Sequence, residues 1–227
     1  RHLGPDALLP MLEALAFDAP PVDGLKQNEL DALRVGLLEA VGMLRDLRSE
    51  AVLEAVFAGD HSRWVNHAAA EAVGRLCTTR GLTRLSAALD TKSRDHAIAG
   101  LGQCRQHKSA ELLAGLLDKT KTASETDAIV AAMGSLGSRW AWRALARRDG
   151  KTRLAEGDAV RTVIAEALVR NYDRFSGETR KRYREAISMV AIAGLRGIVV
   201  RHASRLDTAS RAELEVIAAR LERRAKR

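Results

Sequence analysis

Val65–Gly74 reads VNHAAAEAVG and Ser93–Gly102 reads SRDHAIAGLG. Both close on a small residue, a larger apolar residue and glycine. Four more segments of the same length close in a related way: Leu33–Gly42 (LRVGLLEAVG), Glu125–Gly134 (ETDAIVAAMG), Val160–Val169 (VRTVIAEALV) and Ile187–Arg196 (ISMVAIAGLR). Their last residues fall 27 to 35 positions apart. A period in that range is the signature of a helical solenoid, where each unit buries its apolar face against its neighbours. With the last residue as zero, positions −5 and −4 are apolar throughout and −1 is larger. Position −2 is small: Ala40, Ala72, Gly100, Ala132, Ala167 and Gly194. Spacings of three and four put these residues on one helical face. The small slot is expected where another helix crosses closely.

A second amphipathic segment follows each of the first four. GLTRLSAALD carries Leu82, Leu85 and Leu89 on one stripe, and SAELLAGLLD carries Leu113, Leu116 and Leu117. SEAVLEAVFAGD and SRWAWRALARRD occupy the same place after Gly42 and Gly134. Ser49, Ser109 and Ser138 stand at expected N-caps, and Asp60, Asp90, Asp118 and Asp149 at expected turns. The unit is helix, turn, helix, turn. The expected fold is all-α, a right-handed α-solenoid (α-α superhelix) of about six helical hairpins. Residues 1–227 read as a single domain: an atypical N-terminal cap at 1–32, repeats over 33–206, and a capping helix with a basic tail at 207–227. In the cap, DALLPMLEALAF (Asp6–Phe17) is an expected helix and DAPPVDG (Asp18–Gly24) a turn.

The closing pattern ALG or AVG, a short loop and a helix ending near LD resembles HEAT-type repeats, most closely the short bacterial variety called PBS-lyase HEAT-like repeats. The resemblance covers residues 33–149 well and 160–206 less well. It implies a scaffold whose second helices line a concave face. It also implies a ladder of first-helix arginines, each paired with an Asp of a neighbouring unit; here Arg34, Arg94 and Arg161 stand at position −8, and Asn66, Thr126 and Ser188 in the other copies leave it incomplete. Two enzyme classes carry such repeats, bilin lyases and alkyl-base DNA glycosylases. The glycosylase-like positions would be Trp140, Trp142 and Asp149 with Arg143 or Arg153, but they match no motif residue by residue.

Of the 227 residues, 46% are hydrophobic, 29% charged and 4% aromatic, a soluble globular composition with Ala and Leu as its apolar load. No apolar run approaches the ~18 residues of a membrane span. The formal charge of +8 is uneven. Residues 1–60 carry −6, residues 61–150 carry +6 and residues 151–227 carry +8. Such asymmetry points to an acidic partner, although 29 Arg against 8 Lys also fits a genome that codes arginine freely. The chain starts at Arg1 rather than Met, as expected of a processed form or a fragment, so its start gives no compartment; a cytoplasmic setting is weakly favoured. Cys104 occupies the slot held elsewhere by Leu44, Leu76 and Leu136, so it reads as a core residue. Cys77 falls near a turn, and a disulfide between the two is the lesser reading.

Arg139, Arg143 and Arg147 recur at i, i+4 and i+8, forming one stripe on the second helix of the fourth unit, with Arg148, Lys151 and Arg153 continuing it. Trp142 falls in the core register, which leaves Trp140 as the aromatic for a binding surface or for covering an irregular gap between repeats. Trp64 is expected to pack at a repeat junction. A second basic cluster, Arg180, Lys181, Arg182 and Arg184, spreads round its helix and so does not converge on one ligand. The histidines show no HxxxH spacing, the two cysteines no metal spacing, and no P-loop, GxGxxG or GxSxG occurs. The sequence therefore points to a non-catalytic scaffold without cofactor or metal, binding a protein partner through Arg139, Trp140, Arg143, Arg147, Arg148 and Lys151. Nucleic-acid backbone binding by the basic units is the second reading.

Overall fold

The computed structural model describes residues 4–17 and 25–225; the Asp18–Gly24 turn lies outside them. Every regular element among the described residues is helical. The chain divides into two compact units, Arg1–Cys104 and Arg105–Arg227. Within each, helical hairpins stack in two layers, the arrangement of an α-solenoid.

In the first unit a 3-10 turn (Gly4–Ala7) leads into α1 (Leu8–Ala16). There follow α2 (Gln27–Leu44), a 3-10 turn (Leu47–Ser49), α3 (Glu50–Ala58), α4 (Arg63–Leu76), α5 (Thr79–Ala88) and α6 (Arg94–Gln103). α4 packs between α2 and α6, while α3 and α5 form the second layer. The register follows from the small slots. A Cβ on Gly42 would lie 2.9 Å from the Ala72 Cα, and one on Gly74 would lie 1.9 Å from the Gly100 carbonyl oxygen. The closing glycine of one copy thus meets the −2 residue of the next, backbone against backbone. Val65, Ala69, Ala70 and Ala72 are fully buried along this seam. α4 starts at Ser62, whose side chain accepts from the Val65 N–H, and ends at Cys77 in the left-handed region at φ 56°.

Cys77 and Cys104 are joined by a disulfide across 27 residues, which ties the C-terminal end of α4 to that of α6. Cys104 is fully buried, as its core register implies. The alignment treated each cysteine in its own repeat. Because α4 and α6 are neighbours in the stack, two positions just past their ends come within a Cα separation of 4.8 Å. Closing a loop of this length stabilises a fold by about 3–4 kcal/mol in the chain-entropy model.

The second unit holds α7 (His107–Lys119), α8 (Ala123–Leu136), α9 (Arg139–Asp149), α10 (Thr152–Arg170), α11 (Gly177–Val190), α12 (Leu195–Arg201), a 3-10 turn (Ala203–Arg205) and α13 (Thr208–Ala225). Here the seam changes partners. α8 packs on α11 and α7 on α10, so hairpin stacks on hairpin with α9 inserted between them in sequence. A Cβ on Gly134 would meet the Ala186 Cα at 3.2 Å, so α11 supplies the small residue that the sequence pattern assigned to Ala167 on α10. The sixth segment is not one helix: α11 ends at Val190, Ala191 turns left-handed at φ 47°, and α12 begins only at Leu195.

Asp118 at the end of α7 braces this stack. It accepts from Arg170 (2.8 Å) and Asn171 (2.7 Å) at the end of α10. Burial pushes its carboxyl up, but these donors and the nearby Arg174 outweigh it and hold it below the usual range. Three local expectations are corrected. Ser109 is buried inside α7, where Gln106 takes the N-cap position. Trp64 is 72% exposed rather than packed at a junction. Arg161 pairs with Asp158 on its own helix (2.6 Å) instead of with a neighbouring unit, and donates to the Val190 and Ala191 carbonyls at the end of α11.

Candidate binding surface

α9 begins at Ser138, whose hydroxyl accepts from the Ala141 N–H at 3.4 Å. Its inner side is Trp142 and Leu145, both buried. The Trp142 indole N–H donates to the Leu136 carbonyl (2.8 Å), which fixes the ring and with it the rotation of the helix. α10 accommodates that ring with Gly157, where a Cβ would come within 2.7 Å of it. With Trp142 anchored inward, the opposite side of α9 faces solvent.

That side carries most of the residues singled out from the sequence. Trp140 is 75% exposed; Arg143 and Arg147 are exposed and Arg139 half-buried. Successive helical residues turn by about 100°, so Trp140 lies roughly 60° from Arg143 and 20° from Arg147 around the axis. The indole and the guanidiniums form one face. Arg147 donates weakly to the Arg143 carbonyl (3.4 Å). Among the described residues, no acidic side chain pairs with Arg139, Arg143 or Arg147. Arg148 departs from the stripe and forms a two-pronged pair with Asp149 at 2.6 and 2.9 Å, which raises its pKa. Lys151 is exposed just past the helix, and Arg153 pairs with Glu156 at 2.5 Å.

Behind the stripe lies a cavity of about 550 Å³, walled by Arg139, Arg143 and Trp142 of α9, Asp158 and Arg161 of α10, and the Ala191–Gly194 bend. Arg161 is the residue that the sequence reading missed as part of this surface. The resemblance to HEAT repeats placed it in the ladder of first-helix arginines, and nothing local signals that α9 brings two more arginines to it. Burial, partly offset by Asp158 and reinforced by the Arg139 and Arg143 charges, lowers its pKa.

The second basic cluster is built differently. Arg180 donates to the Phe175 carbonyl (3.1 Å) and lies over the Tyr172 ring. Lys181 pairs with Glu178 (2.9 Å), Arg182 with Glu185 (3.7 Å) and Arg184 with Glu213 on α13 (2.6 Å). Tyr183 is fully buried, edge-on to Tyr172 at 5.9 Å between ring centres.

In the first unit an apolar groove of about 870 Å³ runs between α1 and α2, past Pro10, Met11, Leu37, Ala40 and Met43. Ala40 holds the register that in α4 and α6 receives the preceding helix. His67 and His96 meet edge to face at 6.0 Å; burial and then the His67 charge lower the His96 pKa. No group of three or more His, Cys, Asp or Glu among the described residues is arranged to hold a metal ion, and none of their helices is long and apolar enough to cross a membrane.

No protein-family model matches the chain, and no curated protein matches it in sequence. Among solved structures it is similar to a chain in the complex of CpcE and CpcF of phycocyanin lyase from Nostoc sp. PCC7120. The identity is 15% and the TM-score 0.39, over 90% of this chain and 98% of that one.

Proposed function

We propose that this chain is a HEAT-like repeat module that works by binding rather than by catalysis, and that the solvent-facing side of α9, Arg139, Trp140, Arg143 and Arg147, takes an acidic segment of a protein partner. One observation carries the reading: three arginines without acidic partners share a face with a tryptophan that is 75% exposed. Trp and Arg are the residue types most enriched at the energetic centre of protein interfaces. Exposing an indole has no folding benefit, and three uncompensated guanidiniums within two turns repel one another until an anionic surface arrives. Lys151 extends the positive edge, whereas Arg148 is already neutralised by Asp149.

The test uses the full chain immobilised in lysate of its source, with and without nuclease treatment, beside an Arg143→Glu/Trp140→Ala double variant. A protein retained by the unmodified chain and lost with the variant is the expected result. Retention that needs nucleic acid, and that falls steeply between ~50 and ~200 mM salt, would overturn the reading in favour of phosphate-backbone binding. A protein held equally by both forms would place the interface elsewhere.

A further inference from the structure

The cavity behind α9 adds a third, buried guanidinium and an apolar wall that the partner surface does not call on. Three guanidiniums, Arg139, Arg143 and Arg161, converge on it against one carboxylate, Asp158. Arg161 is only 8% exposed and is locked in place by its bonds to Val190, Ala191 and Asp158. Those bonds leave N–H donors on both of its terminal nitrogens. Arg139 and Arg143 reach the same space unpaired by any acid among the described residues. Most of the remaining wall is apolar, Thr162 aside, and its accessible part is Leu154 and Ile192, since Trp142 and Leu221 are buried. The volume of about 550 Å³ lies within the range of small-molecule sites.

We propose that this cavity binds a small organic phosphate monoester: a dianionic phosphate held by Arg139 and Arg143 in front of Arg161, on an apolar, ring-sized body lying against Leu154 and Ile192. The charge balance selects the anion. Three cations and one carboxylate leave an excess of two positive charges among the lining side chains, and a phosphate monoester near neutral pH carries about −1.5 to −2. Planar guanidinium forks match phosphate oxygens in geometry as well as charge. The apolar wall selects the body, because a free phosphate ion would leave the Leu154 and Ile192 side of the cavity unfilled.

The site shares Arg139 and Arg143 with the partner surface but does not rest on it, and the two are separable by variants. Phenyl phosphate titrated calorimetrically into the full chain is expected to bind saturably at one site, more tightly than inorganic phosphate or benzoate. Arg139→Gln should weaken it by about tenfold or more, the loss of one charge-assisted hydrogen bond. Ala193→Trp, which obstructs the mouth without removing a charge, should abolish it. Trp140→Ala and Arg147→Gln, outside the cavity, should leave it unchanged while weakening partner capture. No saturation by ~10 mM, a range corresponding to less than about 3 kcal/mol of binding, would overturn the proposal. So would equal affinity for inorganic phosphate, or equal losses in Arg147→Gln and Arg139→Gln. Should Ala193→Trp fail to fold, Arg139→Gln against Arg147→Gln decides alone. A negative result here leaves the partner reading standing.

Discussion

The stripe on α9 and the cluster on α11 look alike in sequence, each with several basic residues close to an aromatic, yet they do opposite things. On α11 the charges are answered from within: Glu178 and Glu185 lie one turn from Lys181 and Arg182, and α13 brings Glu213 to Arg184. Its aromatic, Tyr183, is buried. On α9 the arginines of the stripe have no acidic partner among the described residues, and the aromatic beside them is open. A run of positive charge therefore says little about function until the location of its counter-charges is known. The α11 cluster is neutralised within the fold, with Arg184 tying α11 to α13, whereas the α9 stripe is available to something outside the chain.

Four changes would break or sharpen this contrast. The largest effect is expected from Arg143→Glu, which puts repulsion at the centre of the α9 face. It should lower partner affinity by about a hundredfold, the range for disrupting a charge contact at an interface, with the melting temperature unchanged. Trp140→Ala comes next, with an expected affinity loss of about thirtyfold, the size of an interfacial hot spot; if it instead lowers the melting temperature, the indole is a structural residue. Arg184→Ala should do the reverse of both, leaving affinity intact and costing about 1 kcal/mol of stability in denaturant titration, as suits a half-exposed ion pair. The smallest effect is pH-dependent. Burial pushes the Glu213 carboxyl up, but Arg184, helped by Tyr172 and Arg180, outweighs it and holds it below its ordinary value. A carboxylate lowered on folding stabilises above its unfolded pKa, and that contribution is lost as pH falls through the folded one. Melts between pH 6 and pH 3 should therefore lose a few tenths of a kcal/mol more in the unmodified chain than in Arg184→Ala. Equal slopes would mean that the pair does not form.

What the sequence disclosed and what it withheld divide along one physical line. Apolar spacing reports that a helix has a face to bury, and for α2, α4 and α6 the small residues at Gly42, Ala72, Gly74 and Gly100 also report how the faces meet. The fifth segment has an equally good face in Val160, Ile164, Ala165 and Leu168, but periodicity cannot say whether α8 or α7 covers it. The sixth failed because Ala and Ile, ordinary helix formers, carry no sign of the break at Ala191–Gly194. The i, i+4, i+8 spacing made the α9 stripe legible, and the anchoring of Trp142 was readable from its register. Asp149 beside Arg148 and Glu178 beside Lys181 were visible as neighbours, so those neutralisations could have been foreseen. Glu213, and the arrival of Arg161 behind Arg139 and Arg143, depend on tertiary packing alone.

The disulfide has a mechanical consequence. A chain of stacked hairpins pulled from its two ends unravels hairpin by hairpin, each releasing its full contour length. The Cys77–Cys104 bond spans 27 residues, so tension passes from one sulfur to the other and bypasses α5 and α6 between them. About 90 Å of contour length stays hidden from the pulling force until a reductant cuts the bond. Under load this stretch of the solenoid behaves as a fixed link in a chain that is otherwise extensible.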